Sequence, residues 1–177
     1  MERQELAEKI REIGFSCIRC SDCCRGTEED ANLVMIFPTE IEDLAGATGH
    51  KAWDFVKPYP EKVPTSGGGS ITFEWCLKRT IEGCIFLDGT RCTAYASRPW
   101  ICRTYPFMLS GERLSLSPCR GIGREISEHE AEEIAGLLIE RRVVEQEEEE
   151  RVRKILSSHS IPAGKNLLVD GTGVRVL

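Results

Sequence analysis

No run of this 177-residue chain is apolar enough to cross a membrane. No basic stretch exists to neutralise phosphates, and 23 Lys and Arg stand against 29 Asp and Glu for a net charge of −6. Nucleic acid is therefore not an expected partner, and neither is a bilayer. The first residues, Met-Glu-Arg-Gln-Glu-Leu-Ala-Glu-Lys, lack the apolar stretch of a secretory signal, which predicts a cytoplasmic protein. Histidine is scarce. His50, His129 and His159 are scattered, none with a cysteine at ligand spacing, and all three read as surface residues. No Ser-His-Asp or Cys-His pair stands at a diagnostic spacing, so a hydrolase has no positive support. Nor is there a glycine-rich strand-to-helix turn with a following acidic residue, which excludes a separate S-adenosylmethionine domain of that kind.

What the chain has in abundance is cysteine: nine residues. Cys17, Cys20, Cys23 and Cys24 fall within eight positions, and Cys84, Cys92, Cys102 and Cys119 complete a set of eight. In a reducing compartment such thiols are expected as metal ligands, and an odd number could not all pair within the chain. The C-x2-C-x2-C run of Cys17, Cys20 and Cys23 is of the ferredoxin type that gives three thiolates to a [4Fe–4S] cluster. Adjacent side chains diverge in extended backbone, so Cys24 suits a second site or a bridge between metals. Eight thiolates divide into two four-ligand sites, either two zinc sites or two cubane clusters. Cys76 belongs to neither half and reads as a free, buried, strand-borne cysteine.

Arginine accompanies the proposed ligands. Arg19, Arg25, Arg91, Arg103 and Arg120 each adjoin one, and Arg98 precedes Cys102 by four residues. A four-thiolate zinc site carries a formal charge of about −2, which nearby guanidiniums offset. The alternative is that some of them, with Arg25, Arg98 and Arg103 as candidates, hold an anionic substrate or cofactor beside the metal.

The remainder reads as α+β, a small metal-organised domain of short helices and hairpins with a long C-terminal helix. A helix is expected over 2–13, followed by a ligand loop over Cys17–Gly26. Thr39 and Glu42 form a capping-box pattern for a helix to about Ala47, with a short helix over 50–56 after it. The Pro64–Ser70 stretch reads as a turn, Ile71–Cys76 as one strand, and Ile85–Leu87 before Asp88-Gly89 as another. Residues 105–109 and 113–116 form a hairpin across Ser110-Gly111. Ser127 and Glu130 cap a helix to about Ser157, whose run Glu145–Glu150 is expected to be solvated. The tail makes a hairpin on Asp170-Gly171. Trp53, Trp75, Trp100, Tyr95 and Tyr105 are expected in the core around the metal loops, with Pro99 and Pro106 fixing the loop that presents Cys102. Residues 1–125 make up the cysteine-cluster metal-binding domain, and 126–177 a helix and hairpin packed on it.

Phe15-x-Cys17-x2-Cys20-x2-Cys23-Cys24-Arg25-Gly26 resembles the signature of the YkgJ-type cysteine-cluster proteins, described as zinc- or iron-chelating domains. Cys84-Ile-Phe-Leu87, Cys92-x2-Tyr95, Arg98-Pro99-x2-Cys102-Arg103-x-Tyr105-Pro106-Phe107 and Pro118-Cys119-x-Gly121-Ile-Gly123 extend the likeness from about Phe15 to Gly123. The resemblance implies metal chelation. A related region in flagellin lysine N-methylase makes metal-dependent lysine methylation a further implied activity, its cofactor then binding at or near the cysteine core. The expected function is an iron–sulfur protein carrying electrons or supporting an enzyme, with an unidentified protein or redox partner. The alternative is a structural or chelating zinc protein.

Overall fold

The computed structural model describes residues 2–25, 32–158 and 161–177. Gly26, at the end of the ligand loop, and His159 lie outside the described residues. Five α-helices are present among these, α1 (Arg3–Ile13), α2 (Pro38–Thr48), α3 (Ala52–Phe55), α4 (Trp100–Thr104) and α5 (Glu128–Ser158), with a 3-10 turn over Tyr95–Ser97. The strands are β1 (Met35–Ile36), β2 (Val56–Pro58), β3 (Val63–Pro64), β4 (Gly69–Phe73), β5 (Trp75–Leu77), β6 (Arg79–Thr80), β7 (Gly83–Cys84), β8 (Leu87–Asp88), β9 (Arg91–Cys92), β10 (Phe107–Ser110), β11 (Arg113–Leu116), β12 (Lys165–Asp170) and β13 (Gly173–Val176). This is the α+β arrangement of short helices and hairpins that the sequence predicts.

Helix α5, with 31 residues and about 46 Å of length, is the spine. Its start is the predicted capping box, with Ser127 N–H donating to Glu130 Oε2 (3.0 Å) and Glu130 N–H to Ser127 Oγ (3.2 Å). The first half buries Ala131, Ala135 and Leu138 against Leu6 and Ile10 of α1 and against Phe107 and Leu109 of β10. Arg141 at mid-helix donates to Thr104 Oγ1 on α4 (2.9 Å). The far half lays Val152, Ile155 and Leu156 on Ile71, Leu167 and Val169 of the sheet β13-β12-β4-β3, in which β12 runs parallel to β4. A third core gathers Ile36, Leu44, Phe55, Trp75, Leu77 and Phe86, and Cys24, Cys84 and Cys92 pack in or against it.

Several expectations are corrected. The strand over Ile71–Cys76 breaks at Glu74, whose φ of 66° turns the chain out of the β4 sheet into the sheet β1-β5-β2. The Ile85–Leu87 strand is instead two small hairpins, β6–β7 and β8–β9. The hairpin loop after β10 centres on Gly111-Glu112, one residue later than expected. Trp53 (62% exposed) and Tyr95 (40%) lie at the surface, not in the core. The acidic run of α5 is not wholly solvated: Glu148 is buried and accepts from Gly171 N–H (2.5 Å) and Arg151 Nη2 (2.9 Å). Helix α2 starts at Pro38, one residue before the expected cap, and its N3 residue is Glu40. His50 and His129 are exposed as expected. No helix among the described residues is long and apolar enough to cross a membrane.

Candidate metal centre

Three backbone junctions gather the cysteine loops, two of them at glycines where a side chain would clash. Helix α1 stops at Gly14 (φ 71°), and the next residues zip onto the Cys119 loop: Ser16 N–H donates to Gly121 O (3.1 Å) and Gly123 N–H to Gly14 O (3.0 Å). A Cβ on Gly121 would stand 2.5 Å from Ser16 O, so only glycine lets Cys17 approach Cys119 this way. On the other side Cys84 N–H donates to Cys24 O (2.8 Å), and a Cβ on Gly83 would meet that same carbonyl at 2.4 Å. The bidentate pair between Arg120 and Asp22 (2.6 and 2.7 Å) ties the first ligand loop to the last.

Cys102 arrives by a different device. It sits on α4, and the N-terminus of that helix is held by a buried carboxylate from α2. Glu40 Oε1 accepts from Trp100 N–H (2.7 Å), while Glu40 Oε2 accepts from Phe37 N–H (2.9 Å) at the start of its own helix. One side chain thus caps two helices. Burial raises its carboxyl above the ordinary value, and the two amides act against that rise. Glu40 escapes sequence reasoning because the Thr39–Glu42 pattern is the more familiar one. Pro38 is the signal, since proline favours the first helical position and so places Glu40 at N3.

All eight predicted ligands line one cavity of about 1010 Å³, and no histidine is among the lining residues. Cys76 is elsewhere, fully buried in the central strand β5, in agreement with its reading as a buried, strand-borne cysteine. The sulfurs of Cys23 and Cys24 stand 3.9 Å apart. Among the described residues no three Cys, His, Asp or Glu side chains converge on one point in metal-holding geometry. The donor set nonetheless suits a thiophilic metal, being all sulfur and gathered from five separate segments of the chain onto one cavity.

Electrostatics link the thiols. Burial pushes Cys102 well above the ordinary thiol value, reinforced by Cys84, Cys23 and Cys92 and opposed by Arg98. Burial likewise raises Cys84 and Cys92. Cys23 is raised foremost by its hydrogen bond with Cys24, then by burial. Tyr105, whose hydroxyl donates to Pro118 O, is pushed up to about 12 by burial and by the neighbouring Cys119, Cys23 and Cys20. Without a cation these thiols are held protonated, and a bound metal would take the place of those protons.

The arginines divide into two kinds. Arg19, Arg91, Arg98 and Arg103 line the cavity. Arg25 does not: its Nη2 donates to Gly89 O (2.6 Å) and its Nε to Ser21 Oγ (3.1 Å), which locks the end of the ligand loop. Arg98 and Arg103 stack on Tyr95 and Trp100, with guanidinium carbons 3.6 and 4.4 Å from the ring centroids.

The family model CxxCxxCC, described as "Putative zinc- or iron-chelating domain", matches residues 16–135. The match reaches past Gly123 into the first turns of α5, further than the sequence motifs alone. No curated protein and no solved structure matches the chain.

Proposed function

The chain belongs to this CxxCxxCC family, and on that premise we propose that its eight cavity cysteines hold two iron–sulfur centres side by side, in a redox or enzyme-supporting role. The observation that carries this reading is the single large cavity onto which eight of nine cysteines open. A structural zinc site is closed and compact, with four sulfurs about 2.3 Å from one ion and little room around it. Cubane clusters bring their own bulk between the thiolates, and a roomy, sulfur-lined, largely apolar chamber suits them better. Such a centre would supply one-electron transfer.

The protein's own contribution is placement and shielding. The burial of Cys102 beside Cys84, Cys23 and Cys92 favours one ligand group of these four. The zipper between residues 14–16 and 121–123 favours a second group of Cys17, Cys20 and Cys119, which Cys24 would complete. Trp100 and Tyr105 flank Cys102 in the chain, and Tyr105 lines the cavity, where an aromatic side chain would shield a centre from water. Arg98 offsets thiolate charge at Cys23, Cys92 and Cys102.

One observation favours a zinc reading instead. Cys24, Cys84 and Cys92 pack in or against the Phe55–Trp75 core, so ligation there would anchor three loops to the fold. Zinc would then act structurally, with apparent binding energy of about 10–16 kcal/mol for such a site. Metal and acid-labile sulfide analysis of protein purified without oxygen, with its visible spectrum, separates the two. Iron with sulfide and broad absorbance near about 400 nm supports the clusters; zinc without sulfide overturns them in favour of the structural role.

A further inference from the structure

Two guanidiniums sit on one ring at the mouth of the cysteine cavity. Arg98 lies 3.6 Å and Arg19 5.3 Å from the centroid of Tyr95, a residue 40% exposed. Arg103, which lines the same cavity, stacks on the ring of Trp100. Among the described residues, none of these three has a carboxylate within ion-pair distance, whereas Arg120 is paired with Asp22. Nor does any of them donate to a cysteine sulfur; Arg98 Nε is spent on Tyr95 O (2.9 Å). Arg19 reaches its place from a strained backbone, with φ at 52° between the ligands Cys17 and Cys20.

Arginines that only offset thiolate charge would be expected to lie against the sulfurs. Here they are presented by aromatic rings, with no carboxylate partner among the described residues, in a concave chamber whose volume is at the upper end of small-ligand sites. Two like charges sharing one ring repel each other, and an anion between them would relieve that repulsion.

We infer that this rim is a binding subsite for the anionic group, carboxylate or phosphate, of a small organic ligand whose apolar part enters the cavity beside the cysteines. Arg19 and Arg98 grip the anion, Arg103 closes the other side, and Tyr95 orients the pair. A small ligand fits better than an acidic protein because the arginines line a concavity and not a flat face. The inference rests on the reading of the cavity as a metal centre only in placing the ligand next to it.

The test is calorimetric titration of the full-length, metal-loaded protein with inorganic phosphate, pyrophosphate and succinate, with metal content assayed in every sample. Saturable binding of at least one probe is expected. It should weaken about tenfold or more in both Arg19→Gln and Arg98→Gln, while Arg153→Gln, on the exposed face of α5, leaves it unchanged. Preference for succinate or for the phosphates assigns the anion. No saturable heat at tens of millimolar of any probe would overturn the subsite. So would loss of metal in the Arg19 and Arg98 variants with no anion binding in the parent, which reduces the arginines to charge balance. A parent protein that binds anions but carries no metal would instead sink the metal reading and leave the subsite standing.

Discussion

Replacing Glu40 removes at once the acceptor for two helix starts, one of which carries a proposed ligand. Each of its hydrogen bonds joins a backbone amide to a buried carboxylate, at 2.7 and 2.9 Å. A hydrogen bond to a charged group contributes about 1.5–3 kcal/mol net, and the orphaned amides would be left where water reaches them poorly. Glu40→Ala should therefore destabilise the fold by about 3–5 kcal/mol, in the range for breaking a buried network. Glu40→Gln keeps one carbonyl oxygen but turns an amide NH₂ towards the other N–H, so about 1.5–3 kcal/mol is expected. Urea unfolding of the metal-loaded proteins reads both as shifts in midpoint at constant slope. Metal loss to a competing chelator supplies the second readout. It should quicken in both variants, because α4 presents Cys102. Midpoints for both variants within about 0.5 kcal/mol of the parent would refute the double-cap account.

Other expectations follow from particular contacts. Burial raises the Glu74 carboxyl to about 7, with Glu148, Glu145 and Glu149 adding to the rise, and its Oε2 is buried without a hydrogen-bond partner. The native state then holds the proton more tightly than the unfolded chain. The stability this contributes is fully present below about pH 4.5 and lost as pH rises through about 7. Glu74→Gln should flatten that fall and stabilise the protein at pH 8 by about 1–3 kcal/mol in denaturant titrations; an unchanged pH profile would refute it. Gly121→Ala and Gly83→Ala would each force a Cβ into a carbonyl at 2.5 or 2.4 Å. Each should lower the metal content of the purified protein by up to half, with normal content counting against the two junctions. Cys76→Ala should keep full metal content while costing about 1–2 kcal/mol of stability, and loss of metal would make Cys76 a ligand after all.

Much of the fold was legible because its signals are local. The box at Ser127 and Glu130 formed as written, and the tail made its hairpin, with the loop on Gly171-Thr172, one residue later than the expected Asp170-Gly171. The cysteine spacing likewise announced a ligand set, and all eight residues meet at one cavity. What the sequence concealed depends on long-range partners. Nothing near Glu74 reveals that the strand must break there to leave one sheet for another. The parallel pairing of β12 with β4 joins segments almost a hundred residues apart, and no periodicity encodes it. Glu148 looked like one more solvated carboxylate until the Gly171-Thr172 turn folded over it. Arg25 looked equivalent to Arg103 by adjacency to a ligand, yet a contact with Gly89 takes it off the cavity. Adjacency in sequence fixes neither which way a long side chain points nor what it meets.

The most direct test of the central claim is native mass spectrometry of the intact protein, purified and sprayed without oxygen, beside a preparation lacking the eight cavity cysteines. The account predicts a holo-protein carrying two iron–sulfur centres, and an eight-fold Cys→Ser variant carrying none. A native mass equal to that of the bare chain, with the eight cavity thiols open to alkylation under native conditions, would contradict it.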